Sequence, residues 1–365
     1  LFTATVRRDG SSRFGGNNKW GVFPSVSAGY NISEENFMKN IQFISNLKLR
    51  ASYGISGNNQ IGNYTHIGLL SGTRYVENNA LKPGLVPSSL SNDDLTWEKS
   101  RQTNLGLDVG LFADRIALTF DVYRDLKTDL LLAVQLPAAS GFTSSTQNIG
   151  DIRNKGMEIG LRTINLRFKR FEWNSNITFS ANRNKVLRLA TEGGRLANSA
   201  YQITQVGSPI SSFYLLNTLG VFMTTKELDG AALQHPKTQA GDLKFEDVNG
   251  DGVINQNDRK IMGSPWPDFT WGFDNNFTWR NLNLNVAVVG SQGAYTFLET
   301  TLLGSGGVQN ALQIEDQRWR SEANPGNGII PRAVRNGYAT SSGGTVSRYL
   351  FDNSFARIRN VNLSY

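Results

Sequence analysis

Apolar and aromatic residues recur at every second position in several stretches, most clearly between Phe269 and Gly290. Phe269, Trp271, Phe273, Phe277 and Trp279 have Thr270, Gly272, Asp274, Asn276 and Thr278 between them. After Arg280-Asn281 the pattern restarts as Leu282, Leu284, Val286 and Val288, separated by Asn283, Asn285 and Ala287. A period of two sends one set of side chains to one face of a sheet and the other set to the opposite face. The spacing predicts a hairpin with a very short turn and arms of about ten residues. Strands of soluble proteins usually stop at about five or six residues. About ten, tilted, suffice to cross a bilayer.

The same alternation predicts strands at Phe2–Val6, Trp20–Tyr30, Leu47–Ile55, Leu105–Leu111, Ile116–Val122, Met157–Leu161, Phe171–Phe179 and Val361–Tyr365. Upstream of Val361, Arg357 and Arg359 fall in the apolar register, so the pattern breaks there. A short helix is expected at Glu34–Lys39. Loops are expected over 56–94, 130–153, 185–268 and 293–347. About ten strands with alternately short and long connections point to an all-β, transmembrane antiparallel β-barrel, tight turns at one end and long loops at the other. A soluble sandwich would share the period but have shorter strands and no such asymmetry. Gly, Asn, Ser and Thr between the apolar positions suit a polar lumen. Trp20, Tyr30, Trp173, Trp271 and Trp279 lie near strand ends, where amphipathic rings form girdles; ordinary aromatic core is the alternative for each.

Composition changes the picture little. The 37 glycines fit a turn-rich β protein, and the lack of cysteine excludes disulfides and Cys-ligated metals. No apolar run is long enough for a transmembrane helix, a test that half-apolar barrel strands escape. The formal charge is +7. The only basic block is Arg167-Phe168-Lys169-Arg170, so solvated charge is expected and nucleic acid is not. The chain opens inside a strand pattern with no initiator Met, as a piece of a longer protein would.

One segment carries coordination chemistry. Asp247, Asn249, Asp251, the Val253 carbonyl, Asn255 and Asp258 occupy positions 1, 3, 5, 7, 9 and 12 of an EF-hand-type calcium loop, with Gly252 at the sharp turn. Position 12 is Asp rather than Glu, and the flanks lack amphipathic helices. The expectation is a structural Ca2+ ion in an extracellular loop, against an Asx-rich turn without metal. No enzyme is expected. His66 and His235 sit in separate loops, Asp93-Asp94 looks like a turn, and no nucleophile or phosphate-loop motif occurs.

Several stretches, in order, resemble the SusC-like TonB-dependent transporters: Arg7-Arg8-Asp9-Gly10-Ser11-Ser12-Arg13-Phe14-Gly15, Leu47 to Gly54, Trp97-Glu98-Lys99, Asn154 to Glu158, Gly241-Asp242, and Phe355 to Val361. The resemblance implies that residues 1–365 are the middle and later part of an outer-membrane barrel of about 22 strands. It also implies import of oligosaccharides or peptides, an N-terminal plug, a SusD-like surface lipoprotein, energy from TonB, and contact with outer-membrane lipid. Lys48, Arg50, Asp108, Asp121, Glu158 and Arg162 would then line the lumen. Among loop aromatics, Tyr64, Tyr75, Tyr201 and Trp319 could stack on sugars or pack against the lid. The competing reading is a soluble extracellular calcium-bound β-sandwich for adhesion or carbohydrate binding.

Overall fold

The computed structural model describes residues 1–298, 313–334 and 345–365. Ten strands form one antiparallel sheet in chain order. They are Phe2–Gly10, Trp20–Asn31, Ile44–Asn58, Glu98–Leu111, Ile116–Gln135, Ser144–Phe168, Phe171–Leu189, Phe269–Trp279, Leu282–Gln292 and Phe355–Ser364, called below the first to tenth strands. Connections 32–43, 112–115, 169–170 and 280–281 lie at one end, and 11–19, 59–97, 136–143, 190–268 and 293–354 at the other. The expected asymmetry is therefore present, although part of the 293–347 loop lies outside the described residues.

Register shows why the sheet has two chemistries. Leu47, Val109, Leu118, Leu161, Ile177, Phe273, Val288 and Ile358 face one another in a single row across eight strands. Three residues along, Arg50, Gly106, Asp121, Glu158, Ser180, Thr270 and Ser291 make the parallel row on the opposite face. No second sheet covers the apolar face among the described residues, and Ile358, Val361 and Leu363 are about two-thirds exposed at 66%, 60% and 67%. Soluble monomers rarely leave a contiguous apolar patch larger than a few hundred Å². The eighth strand has 11 residues, about 36 Å at about 3.3 Å each. A tilt of about 45° makes that about 26 Å, matching the apolar band of an outer-membrane barrel. The arrangement is that of a membrane wall and not of a sandwich. Among the described residues strands one and ten have no outer partner. The sheet is an open arc with two unsatisfied edges.

The tenth strand explains its broken alternation. Ala287 pairs with Asn360 but Val288 pairs with Ile358, so Arg359 is an extra residue in a β-bulge. The bulge returns Ile358 and Val361 to the apolar face while Arg357 stays on the polar one.

Three expectations need correction. The Glu34–Lys39 helix is absent: a 3-10 turn covers Ile32–Glu34 and non-helical turns follow. Asn31 gives no side-chain cap, and so short a segment cannot offset the cost of nucleation. The 130–153 loop shrinks to 136–143 because the fifth and sixth strands run on through bulges near Asp129. The 185–268 loop begins at 190, after Leu189.

The long connections are folded. Leu70–Glu77 and Ala80–Pro87 form a hairpin within 59–97. Arg195–Ala197, Gln202–Gln205, Ser212–Leu216 and Arg259–Gly263 make a four-stranded sheet, and Thr218–Val221 pairs with Leu243–Phe245. Val221, Leu243, Phe245 and Ile254 share one core with Val346 and Tyr349 from the following connection. Leu216 bridges to Val346, and Thr218 N–H donates to Ser347 Oγ at 2.9 Å.

Candidate functional site

The polar face of the sheet carries every charge expected there. Arg50, Asp121 and Glu158 share one row, Lys48 and Asp108 the next, and Arg162 the one beyond. Arg50 is the structural centre. Its Nε and Nη2 donate to Asp108 at 2.8 and 3.0 Å, and its Nη1 and Nη2 donate to Asp121 at 3.0 and 2.9 Å. A planar guanidinium suits this double fork. It reaches both acids by lying flat on Gly106, where a Cβ would come within 2.5 Å of it.

Beside this clamp the wall forms a concavity of about 600 Å³. Its floor is small and polar: Thr119, Gly160, Thr178, Ser180, Thr270 and Gly272. Glu158 and Asp121 stand on one flank, and Arg357 and Arg359 on the other. Sequence alone did not place these two arginines on the wall, although the broken alternation was their signal. Arg357 sits over the Phe355 ring at 4.8 Å. A second hollow of about 480 Å³ holds Lys48, Asp108 and Arg162. Such a surface can bind polar solutes through many weak contacts. It shows no nucleophile and base arranged for catalysis.

The apolar face ends in aromatic rims. Trp173 stacks on Phe277 at 5.5 Å near the tight turns, and Phe179 stacks on Phe269 at 5.5 Å near the long loops. Trp279 and Tyr30 lie at the tight-turn end, with Trp20 and Trp271 towards the other. Polar atoms on this face are satisfied locally: Trp173 Nε1 and Ser175 Oγ donate to Asn275 Oδ1 at 3.0 and 2.7 Å. A lipid-facing surface requires that.

The loop aromatics divide. Tyr201 stacks on Phe297 at 4.5 Å, and Trp319 packs beside the loop core with its indole N–H donating to the Met223 carbonyl at 3.0 Å. Both rings are half-buried in packing. Tyr64 and Tyr75 remain exposed. The alternation drew no attention to Trp266, which lies beside Asn182, Asn184, Asp268 and Tyr295 in a hollow of about 580 Å³ at the loop end.

In the 247–258 loop, Asp247 accepts the Gly250 and Gly252 N–H groups, each at 2.8 Å. Asn249 accepts Asp251 N–H at 3.0 Å, and Asp251 accepts Val253 N–H at 2.8 Å. Asn255 Nδ2 donates to the Val253 carbonyl at 3.2 Å. Asp258 is fully buried and accepts from Val248 and Asn255 N–H at 3.0 and 2.7 Å. Gly250 and Gly252 have φ of 73° and 79°, which favours glycine. Among the described residues no three acidic or histidine side chains gather as a metal cage. The candidate oxygens here hold backbone N–H groups.

Residues 1–232 match the family "TonB dependent receptor-like, beta-barrel". TonB-dependent receptor P3 of Formosa agariphila is 37% identical over 377 residues, covering 100% of this chain and 37% of that protein. TonB-dependent receptor SusC of Bacteroides thetaiotaomicron is 31% identical over 388 residues, covering 100% and 36%. A chain of the RagAB peptide transporter superposes with a TM-score of 0.84 at 27% identity, covering 99% of this chain and 39% of that one. The chain thus spans a little over a third of the length of these relatives.

Proposed function

The chain belongs to the TonB-dependent receptor β-barrel family of the bacterial outer membrane, and from that premise we propose that it forms part of the wall of a SusC-like active importer. The cargo would be oligosaccharides or peptides. A SusD-like surface lipoprotein would close the loop end, and TonB would supply energy through parts of the protein beyond this chain. The two-faced register carries the reading: apolar rows outward, a charged and hydroxylic wall inward, the three longest connections all at one end. The likeness to the RagAB peptide transporter supports peptide as cargo.

Within this function we assign the 247–258 loop a structural Ca2+ site. Asp247, Asn249, Asp251, the Val253 carbonyl, Asn255 and Asp258 supply the hard oxygens that Ca2+ takes. Bound there, the ion would tie the loop to the core that Ile254 enters.

Deleting the receptor in its host and comparing growth on single oligosaccharide or peptide nitrogen and carbon sources tests the import role. Lost growth on one class, restored by the complete receptor, is expected. Unchanged growth on both, with no lipoprotein retained by the receptor in detergent, would overturn it.

A further inference from the structure

We propose that the tight-turn end of the sheet binds acidic phospholipid headgroups through a basic patch on two neighbouring hairpin turns. These are turns 169–170 and 280–281, which touch: Arg280 N–H donates to the Arg170 carbonyl at 2.9 Å. Arg167, Lys169, Arg170 and Arg280 are exposed. Arg167 is taken by Glu172 at 2.8 Å. Among the described residues no ion pair involves Lys169, Arg170 or Arg280. The acid of the 112–115 turn, Asp114, accepts from Ser45 Oγ at 2.6 Å. Three cations are left over on two adjacent turns.

What lies beside them selects the partner. The last row of the apolar face at this end is Phe168, Phe171, Trp279 and Leu282. Phe168 is 66% and Trp279 54% exposed. Amphipathic rings at a strand end sit at headgroup depth. Cations one or two residues further along therefore lie at the level of lipid phosphates. The Arg280 guanidinium lies 5.5 Å from the Trp279 ring centre, which holds it over the girdle. A soluble phosphate would gain nothing from the rings, whereas a phospholipid engages rings with its acyl chains and cations with its headgroup. The tight-turn end faces the periplasmic leaflet, so the lipid is a phospholipid of that leaflet. The inference rests on the bilayer placement argued above, and its test separates the two.

The complete receptor is purified in mild detergent and offered mixed micelles of equimolar phosphatidylglycerol and phosphatidylethanolamine, and retained lipid is counted by native mass spectrometry. Wild type should retain phosphatidylglycerol preferentially. Arg280→Gln should lower the preference roughly fivefold, and Lys169→Gln/Arg170→Gln/Arg280→Gln should abolish it. Salt at about 0.5 M should weaken it in wild type. A heat-dependent shift in gel mobility verifies that each variant retains its barrel, so a lost shift indicts the barrel and not the patch. Equal preference in wild type and folded triple variant overturns the proposal. So does full displacement by inorganic phosphate at the lipid's concentration, which would make the patch a site for free anions.

Discussion

Arg332→Ala tests whether the two long connections are locked by a buried ion pair. Arg332 Nε donates to Asp242 Oδ1 at 2.8 Å, and the side chains are 19% and 1% exposed. Asp242 Oδ2 also accepts Gln239 N–H at 3.0 Å, and with its amide turned so that the oxygen faces the guanidinium, Gln239 accepts from Arg332 Nη2 at 2.8 Å. Removing one partner of a buried pair costs about 3–5 kcal/mol, because the other charge loses its compensation. Arg332 keeps some contact with solvent, so the lower end, about 3 kcal/mol, applies. That is about a hundredfold in local opening. Phe222 N–H, which donates to the Asp242 carbonyl at 3.0 Å, and Gly241 N–H, which donates to the Phe222 carbonyl at 2.7 Å, are the reporters. Their hydrogen exchange should accelerate about a hundredfold, while the hairpin 269–292 stays protected. Adding Asp242→Leu to Arg332→Met should restore most of the protection. Unchanged exchange at Phe222 and Gly241 in folded Arg332→Ala would refute the reasoning.

Face parity gives a second prediction. Ile177→Lys, in the apolar row, should destabilise the complete barrel by about 2–4 kcal/mol in urea titration, whereas Thr178→Lys, one residue on, should fold nearly as wild type; equal losses would reject the assigned faces. For the calcium loop, chelator should speed protease cleavage around 242–262 in wild type, and Asp251→Ala should be cleaved fast with or without calcium. Identical digestion of wild type in both conditions would remove the ion. Glu246 has its carboxyl held below the usual range by Lys260 Nζ at 2.6 Å and by the Asn217 amide. A depressed carboxylate stabilises fully above its unfolded value, about pH 4.3, and that contribution is lost as pH falls through the folded one. Protection factors near 243–246, corrected for the intrinsic pH dependence of exchange, should therefore fall on acidification below that point in wild type but not in Glu246→Gln.

The membrane-facing part of the fold was legible because register there is constrained on both sides. Phe269 to Val288 must alternate to keep grease outward and water inward, and the hairpin lies where the alternation put it. Beyond the apolar band the constraint lapses. Arg124 to Gln135 and Ser144 to Asn154 are strand without a period of two, because no lipid boundary sorts their faces: Leu130 and Ile149 are buried, and Leu131 packs against the Phe14, Phe23, Leu95 and Trp97 cluster. Their continuation rests on cross-strand bonds such as Asn148 Nδ2 to the Thr96 and Asp129 carbonyls, at 2.9 and 2.7 Å. The loop core was invisible for another reason: Leu216 and Val346 are partners far apart in sequence, and no local pattern announces such a meeting. Residue type left Tyr201 and Trp319 open to cargo or lid, and no local pattern shows that both rings are half-buried in packing, Tyr201 on Phe297 and Trp319 beside the loop core. The Arg357 and Arg359 anomaly was visible, but only the bulge shows that the wall gains two cations from it.

Because Val346 and Tyr349 complete a core begun by Val221, Leu243, Phe245 and Ile254, the described parts of the two longest connections share one interior across two separate hairpins. Transplanting either segment alone into a related receptor would carry half an interior and expose the rest. A chimera meant to change what the mouth selects must exchange both segments together. Drift in one should leave its mark as matching drift in the other.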